Sequence, residues 1–260
     1  MAVDLGYDEG GAGDILLVSM QLGMTDKSKR MKKLWKKELS KVGIPYFHSV
    51  DFKNFSGGIF RDLDQPKRAK LLECLGELIR LRLEVGISTH VNERLYKTNT
   101  RPDFRSKWAS PYTFAIWALV LGAHAYLKEF DLGFDVNVLI EDGHRNSRQA
   151  LDMFETLKNA PESDDFRPLK ILTVGLGSKK DHPILQAADM LAYSEWQKIA
   201  KGNMDIYDSL HVDGSRYETR VVDCDEIGLV GNLKDSVARY EERRRSWGER
   251  KALRKNGNSK

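Results

Sequence analysis

The sequence predicts an α/β fold, and three observations predict it. Two β-prone runs open the chain, strands and helices alternate after them, and no repeat, linker or low-complexity tract divides the chain. At 260 residues the chain suffices for one well-buried domain, or for one domain with an appendage. Its 41% hydrophobic and 31% charged residues are ordinary for a soluble globular protein. The longest apolar run, "FAIWALVLGAHAYL", is interrupted by Gly122 and His124 and falls short of a membrane span.

The elements are taken in chain order. "MAVDLGYDEGGAG" reads as a short strand ending at Tyr7–Asp8 and then a glycine turn, and Asp14 to Gly23 as a second strand closing a hairpin. Thr25 or Asp26 caps a basic helix running to about Lys41, stopped near Gly43 and Pro45. "IPYFHSVDF" is a strand candidate ending at Val50–Asp51, and "NFSGGIF" a loop. Gln65 to Leu83 is a helix and "VGISTHV" a strand; "RPDFRSKWASP" is a loop before "YTFAIWALVLGAHAYLKEF", a helix apolar all round and hence buried. Asp135 to Asp142 makes a β-branched central strand, "NSRQALDMFETLKNA" a helix, and Leu169 to Gly177 another strand. "HPILQAADMLAYSEW" has Pro183 in its first turn and apolar residues at helical spacing. "IYDSLHVDGSRYETRVVD" suggests a small hairpin, and a last polar helix begins near Leu233. Residues 1–232 are therefore expected to form the domain and 233–260 a basic helical tail.

Net charge is +4, and its distribution says more than its sum. Basic residues crowd Lys27 to Lys41 and Arg239 to Lys260, while acids gather at Asp4 to Asp14, Glu141–Asp142 and Glu162 to Asp165. Basic blocks around an acidic centre suit an enzyme that attracts a polyanion yet chelates a cation, although either block alone also reads as a solvated helix face. Lys32, Lys33, Lys36, Arg243, Arg244 and Arg245 are the candidate nucleic-acid contacts, with Trp35 and Trp247 as candidate base-stacking or packing residues. Cys74 and Cys224 make no zinc motif, and no basic-then-apolar opening marks a secretory signal. A reduced cytoplasmic setting is the expectation.

Asp189 poses the sharpest question. At 100° per residue it falls at the edge of its helix's apolar arc, beside alanines, so it needs a metal, a cation or a donor as partner. Asp8 (with Glu9) and Glu141–Asp142 stand at expected strand ends, where ligands of open α/β sheets collect. Carboxylates converging there call for a divalent cation, and oxygen ligands without cysteine favour Mg²⁺ or Mn²⁺. One or two such ions would suit phosphodiester chemistry. Strand alternation sets Asn137, Leu139 and Glu141 on one face and Val136, Val138, Ile140 and Asp142 on the other, so only one of the two acids faces Asp8. Glu141 is the favoured ligand, with Asp142 as a helix cap or support. Of the histidines weighed, His48, His144 and His182, the first and last are candidate proton shuttles or phosphate contacts. Neither "GYDEGGAG" nor "VGLGSKK" has the Walker or dinucleotide spacing.

Three blocks, "YDEGGAGDILLVSMQLG", "YFHSVDF" and "ILQAADMLAYSEW", together resemble the domain-of-unknown-function family 3800 over roughly Gly6 to Lys198. The departures are Gly10 in place of a serine and "IEDGH" in place of a strand ending in Asp. The resemblance implies a ribonuclease H-like mixed central sheet flanked by helices. It also implies that Asp8 and Asp189 share a Mg²⁺ or Mn²⁺ centre with a third acid, Glu141 or Asp142. Ala187, Ala188 and Ala192 would then let the helix approach the sheet, and Gln186 would support Asp189 by a hydrogen bond. The implied function is a metal-dependent nuclease or other phosphodiester hydrolase acting on DNA or RNA. Its rivals are an inactive nucleic-acid- or protein-binding module and a small-phosphoester hydrolase.

Overall fold

A computed structural model describes residues 2–12, 14–54, 58–100, 110–133, 135–143, 146–159, 169–201, 205–212 and 215–223. These form a mixed six-stranded sheet flanked by helices, an α/β arrangement of the class the patterning predicts. The strands are β1 (Val3–Ala12), β2 (Ile15–Met24), β3 (Val85–Asn92), β4 (Asp135–Glu141), β5 (Lys170–Gly177) and β6 (Glu218–Asp223). Their order across the sheet is β5-β4-β1-β2-β3-β6. β1–β2 and β2–β3 are antiparallel, whereas β1–β4, β4–β5 and β3–β6 are parallel. The described helices are α1 (Thr25–Lys41), α2 (Ser49–Lys53), α3 (Gln65–Arg82), α4 (Glu93–Asn99), α5 (Pro111–Glu129), α6 (Ser147–Lys158), α7 (Pro183–Lys201) and α8 (Asp205–Leu210).

Period-2 alternation assigns the two faces of the sheet. Val3, Leu5 and Tyr7 of β1 and Val136, Val138 and Ile140 of β4 enter one core with α5 and α6. The alternate residues, Asp4, Gly6, Asp8, Asn137, Leu139 and Glu141, occupy the face on which α7 lies. A second core wraps α7, where Met31 and Trp35 of α1 and Leu71 and Leu75 of α3 join Ala187, Met190 and Leu191. Helix α7 is thus enclosed between sheet and helices and is buried almost all round from Leu185 to Ala192. Helices α1, α2 and α8 pack against the faces that the sheet leaves open.

Several local expectations change. β1 does not stop at Asp8: pairing continues through Gly10↔Leu17 to Ala12↔Ile15, since glycines offer backbone donors and acceptors like any residue. The parallel β1–β4 ladder, however, ends at Tyr7↔Ile140, so Asp8 begins the part of β1 that outruns β4. "IPYFHSVDF" is not a strand; the chain turns at Gly43 (φ 73°) and enters the short α2 at Ser49. Met24, not Thr25 or Asp26, is the N-cap of α1, and Thr25 instead donates its hydroxyl towards Ala2 O and Asp4. No small hairpin forms in 206–223 among the described residues: α8 leads to β6, which adds parallel to β3. Helix α4 has no counterpart in the sequence pattern, and Asn92 caps it by accepting from Leu95 N. The helix expected from Leu233 and the tail 233–260 lie outside the described residues.

Close approach of α7 to the sheet depends on Gly6. A Cβ there would stand 2.9 Å from Ile184 Cγ2 and 3.2 Å from the Ile184 carbonyl carbon, so side chain and helix backbone both stand in the way. Gly6→Val is expected to lift the start of α7 and destabilise the fold by about 1–3 kcal/mol, as overpacking typically does. Thermal denaturation checks this, at roughly 2–4 °C per kcal/mol for a chain of this size; an unchanged melting temperature would show that the layers are not held this tightly.

Candidate acid–lysine centre

Three carboxylates from three elements meet one ammonium. Lys179 Nζ lies 2.9 Å from Asp8 Oδ2, 2.9 Å from Asp189 Oδ1 and 3.2 Å from Glu141 Oε1. Strand register explains the two sheet acids: Tyr7 and Ile140 are paired, so the next residues, Asp8 and Glu141, emerge side by side on the α7 face. Helix α7 supplies Asp189 from above. Lys179 comes from the Ser178–Asp181 turn between β5 and α7, closed by Asp181 N donating to Ser178 O at 3.0 Å. Asp8 and Asp189 are 1% and 4% exposed. Such burial is affordable for carboxylates only beside a counter-charge, and the three N–H groups of an ammonium match three acceptors.

Electrostatics reflect this crowding. Burial, then a hydrogen bond with Glu141 and the charge of Asp189, push the Asp8 carboxyl well above the usual carboxylate range, while Lys179 pulls it down. Burial alone would lower the Lys179 pKa, but Asp189, Asp8 and Glu141 together hold it above the ordinary lysine range. With all groups ionised the cluster carries three negative charges against one positive. Its donor set is oxygen-only, the set a hard divalent cation prefers. Among the described residues no three His, Cys, Asp or Glu side chains stand arranged to hold a metal ion as they are. The point touching all three acids is where Lys179 Nζ sits.

A segment that resembles a strand in sequence completes the centre. Ser49 N, at the start of α2, donates to Asp189 Oδ2 at 2.7 Å. His48 Nδ1 donates to Asp51 Oδ2 at 2.9 Å, which turns Nε2 towards Asp189 Oδ1, 3.8 Å away. Gln186 supports the centre otherwise than expected. Its Oε1 accepts from Trp35 Nε1 and from Phe47 N, both at 2.7 Å, and its Nε2 donates to Lys179 O at 2.7 Å. One side chain therefore ties α1, the segment bearing His48 and Ser49, and the lysine turn to α7.

The other expected residues separate from this group. Asp142 is exposed, its carboxylate accepts from Gly143 N, and the N-cap of α6 is Asn146, so Asp142 caps no helix. His182 lines a neighbouring cavity of about 330 Å³ together with Asp4, Lys32, Asn137, Thr173 and Ile184. Burial, then the charge of Lys32, lowers its pKa; Asp181 pulls the other way and Lys36 adds to the lowering. Lys32, Lys33 and Lys36 are exposed on α1, whereas Trp35 is fully buried and is a packing anchor, not a base-stacking platform. Of Glu9 only the backbone in β1 is described; His144, Trp247, Arg243, Arg244 and Arg245 lie outside the described residues. Lys179, Ser49 and Asp51 are functional candidates that the sequence pattern does not single out, although a lysine between the end of a strand and the Asp189 helix is a usable signal.

Fold and site define an α/β protein with a buried carboxylate–ammonium centre at the mouth of its parallel ladder. Neither protein-family models nor curated proteins return a match to this chain.

Gln186→Leu is expected to leave Trp35 Nε1, Phe47 N and Lys179 O unpaired in the interior, at about 1–3 kcal/mol for each group left unsatisfied. Trp35→Phe removes one of the three bonds. In a double-mutant cycle by chemical denaturation, the pair should cost less than the sum of the singles; strict additivity would mean that the clamp does not act as a unit.

Proposed function

We propose that this chain is a metal-dependent phosphodiester hydrolase, a nuclease, with a ribonuclease H-like fold. The observation that carries the reading is the meeting of Asp8, Glu141 and Asp189, each from a different element, within 3.2 Å of a single point. Supporting the fold assignment is a sheet whose first three strands are antiparallel and whose next two run parallel on the other side of β1. The resemblance of the Asp8, His48 and Asp189 blocks to the family 3800 supports it independently of geometry.

In this reading Asp8, Glu141 and Asp189 would hold Mg²⁺ or Mn²⁺. The ion, when bound, supplies Lewis acidity at phosphoryl oxygen and lowers the pKa of water. The chain's own groups do the rest. Ser49 N fixes one oxygen of Asp189 and so orients the other into the centre. His48, its Nδ1 anchored by Asp51, presents Nε2 beside Asp189 as the group that takes or gives a proton. Lys32 and His182 line the neighbouring cavity, Lys36 lies near enough to act on His182, and Lys180 lies over the Tyr46 ring at 5.3 Å, cations suited to a phosphodiester backbone.

A second reading, an inactive nucleic-acid- or protein-binding module, is favoured by one fact: Lys179 already pairs with all three acids. Cleavage of labelled DNA and RNA with Mn²⁺ or Mg²⁺ separates the two. Asp189→Asn is expected to lose on the order of a hundredfold or more in rate, several kcal/mol of transition-state stabilisation. Equal rates in parent and variant would remove Asp189 from the chemistry. Binding without cleavage in either metal would favour the module, and turnover confined to small phosphoesters a different hydrolase. Calorimetric Mn²⁺ titration should show weaker binding in Glu141→Gln and near-parental binding in Asp142→Asn; the reverse would exchange their roles.

A further inference from the structure

We propose that Lys179 is a built-in counter-ion that a divalent cation must displace, so that the lysine sets the threshold of metal binding. The inference rests on the metal-centre reading and concerns which cation the acids hold, and when. Nζ contacts one oxygen of each acid: Asp8 Oδ2, Asp189 Oδ1 and Glu141 Oε1. The second Asp189 oxygen is committed to Ser49 N. A dication bound through the same oxygens would meet the ammonium at contact range, where two positive charges repel strongly in a poorly solvated site. The acids serve one cation or the other.

The fold lets the side chain leave while the backbone stays. Lys179 O is held by Gln186 Nε2, and the turn is closed by Asp181 N to Ser178 O. Beyond the backbone the lysine is a flexible four-carbon stem with a point charge at its tip, whose side chain is 12% exposed and so reaches the surface. Until an ion arrives, the ammonium keeps three mutually repelling carboxylates gathered around one point. The buried Asp8 and Asp189 and the half-buried Glu141 can therefore stay together in the folded chain before any dication binds.

The test uses Mn²⁺ alone as probe. Calorimetric titration should give Lys179→Met and Lys179→Gln an affinity about tenfold or more tighter than the parent, the equivalent of about 1.4 kcal/mol, with Asp189→Asn losing binding. Should the lysine variants fail to fold, the parent protein supplies a second measurement. Lysine acetylation quantified by mass spectrometry should rise severalfold at Lys179, relative to exposed Lys33, when Mn²⁺ saturates the site. Affinity unchanged or weakened in both lysine variants, or Lys179 labelling unmoved by saturating Mn²⁺, overturns the inference and leaves the metal centre standing. Absence of Mn²⁺ binding in the parent and in both lysine variants overturns the metal centre, and the inference with it.

Discussion

The constraint on which the centre depends is electrostatic: carboxylates cannot be gathered in a dry interior without a positive charge among them. Lys179 supplies it, and the positions of four elements are set by it. β1 and β4 must run parallel and in register so that Asp8 and Glu141 emerge side by side. Helix α7 must descend close enough for Asp189 to reach the same point, which requires Gly6 beneath Ile184. The β5–α7 turn must deliver the ammonium. A hydrophobic core alone would tolerate many small shifts among these pieces; the ion cluster tolerates few.

Helix α7 shows how the polar and apolar demands are reconciled. Enclosed on both sides, its buried middle has no solvent face on which to place polar residues, so each must find a partner inside. Asp189 is met by Lys179 and Ser49 N, and Gln186 by Trp35, Phe47 and the Lys179 carbonyl. On the sheet side Gln21 donates to Ala187 O and accepts from Tyr217. The helix is a polar spine within two apolar cores, and its hydrogen bonds assign a single register to the layers around it. Such a network is specific because a half-satisfied alternative is worse than none.

Local periodicity encodes the part of the structure that is legible in the sequence. The alternation Val136, Val138, Ile140 against Asn137, Leu139, Glu141 separates Glu141 from Asp142, and the helices at 25–41, 65–82, 111–129, 147–158 and 183–201 stand where caps, stops and apolar patterning place helices in the sequence. Features set by partners distant in the chain are not legible. Glycines at 10 and 11 read as a turn because their propensity says so, yet β2 across from them supplies the pairing. β6 exists through its parallel bonds to β3, more than a hundred residues earlier. The apolar "IPYFHSVDF" mimics a strand, but Phe47 and Phe52 serve the second core with Phe60 instead of a sheet.

Lys179 is hidden for a related reason. In "GLGSKKDHP" it looks like one more solvated lysine in a turn, and only tertiary structure brings Asp8, from the first strand of the chain, to its tip. The puzzle of an aspartate amid alanines therefore has a two-part answer. Gly6 sets the distance, its missing side chain permitting the helix backbone to lie close on the sheet. The lysine sets the charge, making that distance bearable for Asp189 and for the two acids it meets. A carboxylate on an apolar helix is intelligible once both are counted, and neither alone would keep it there.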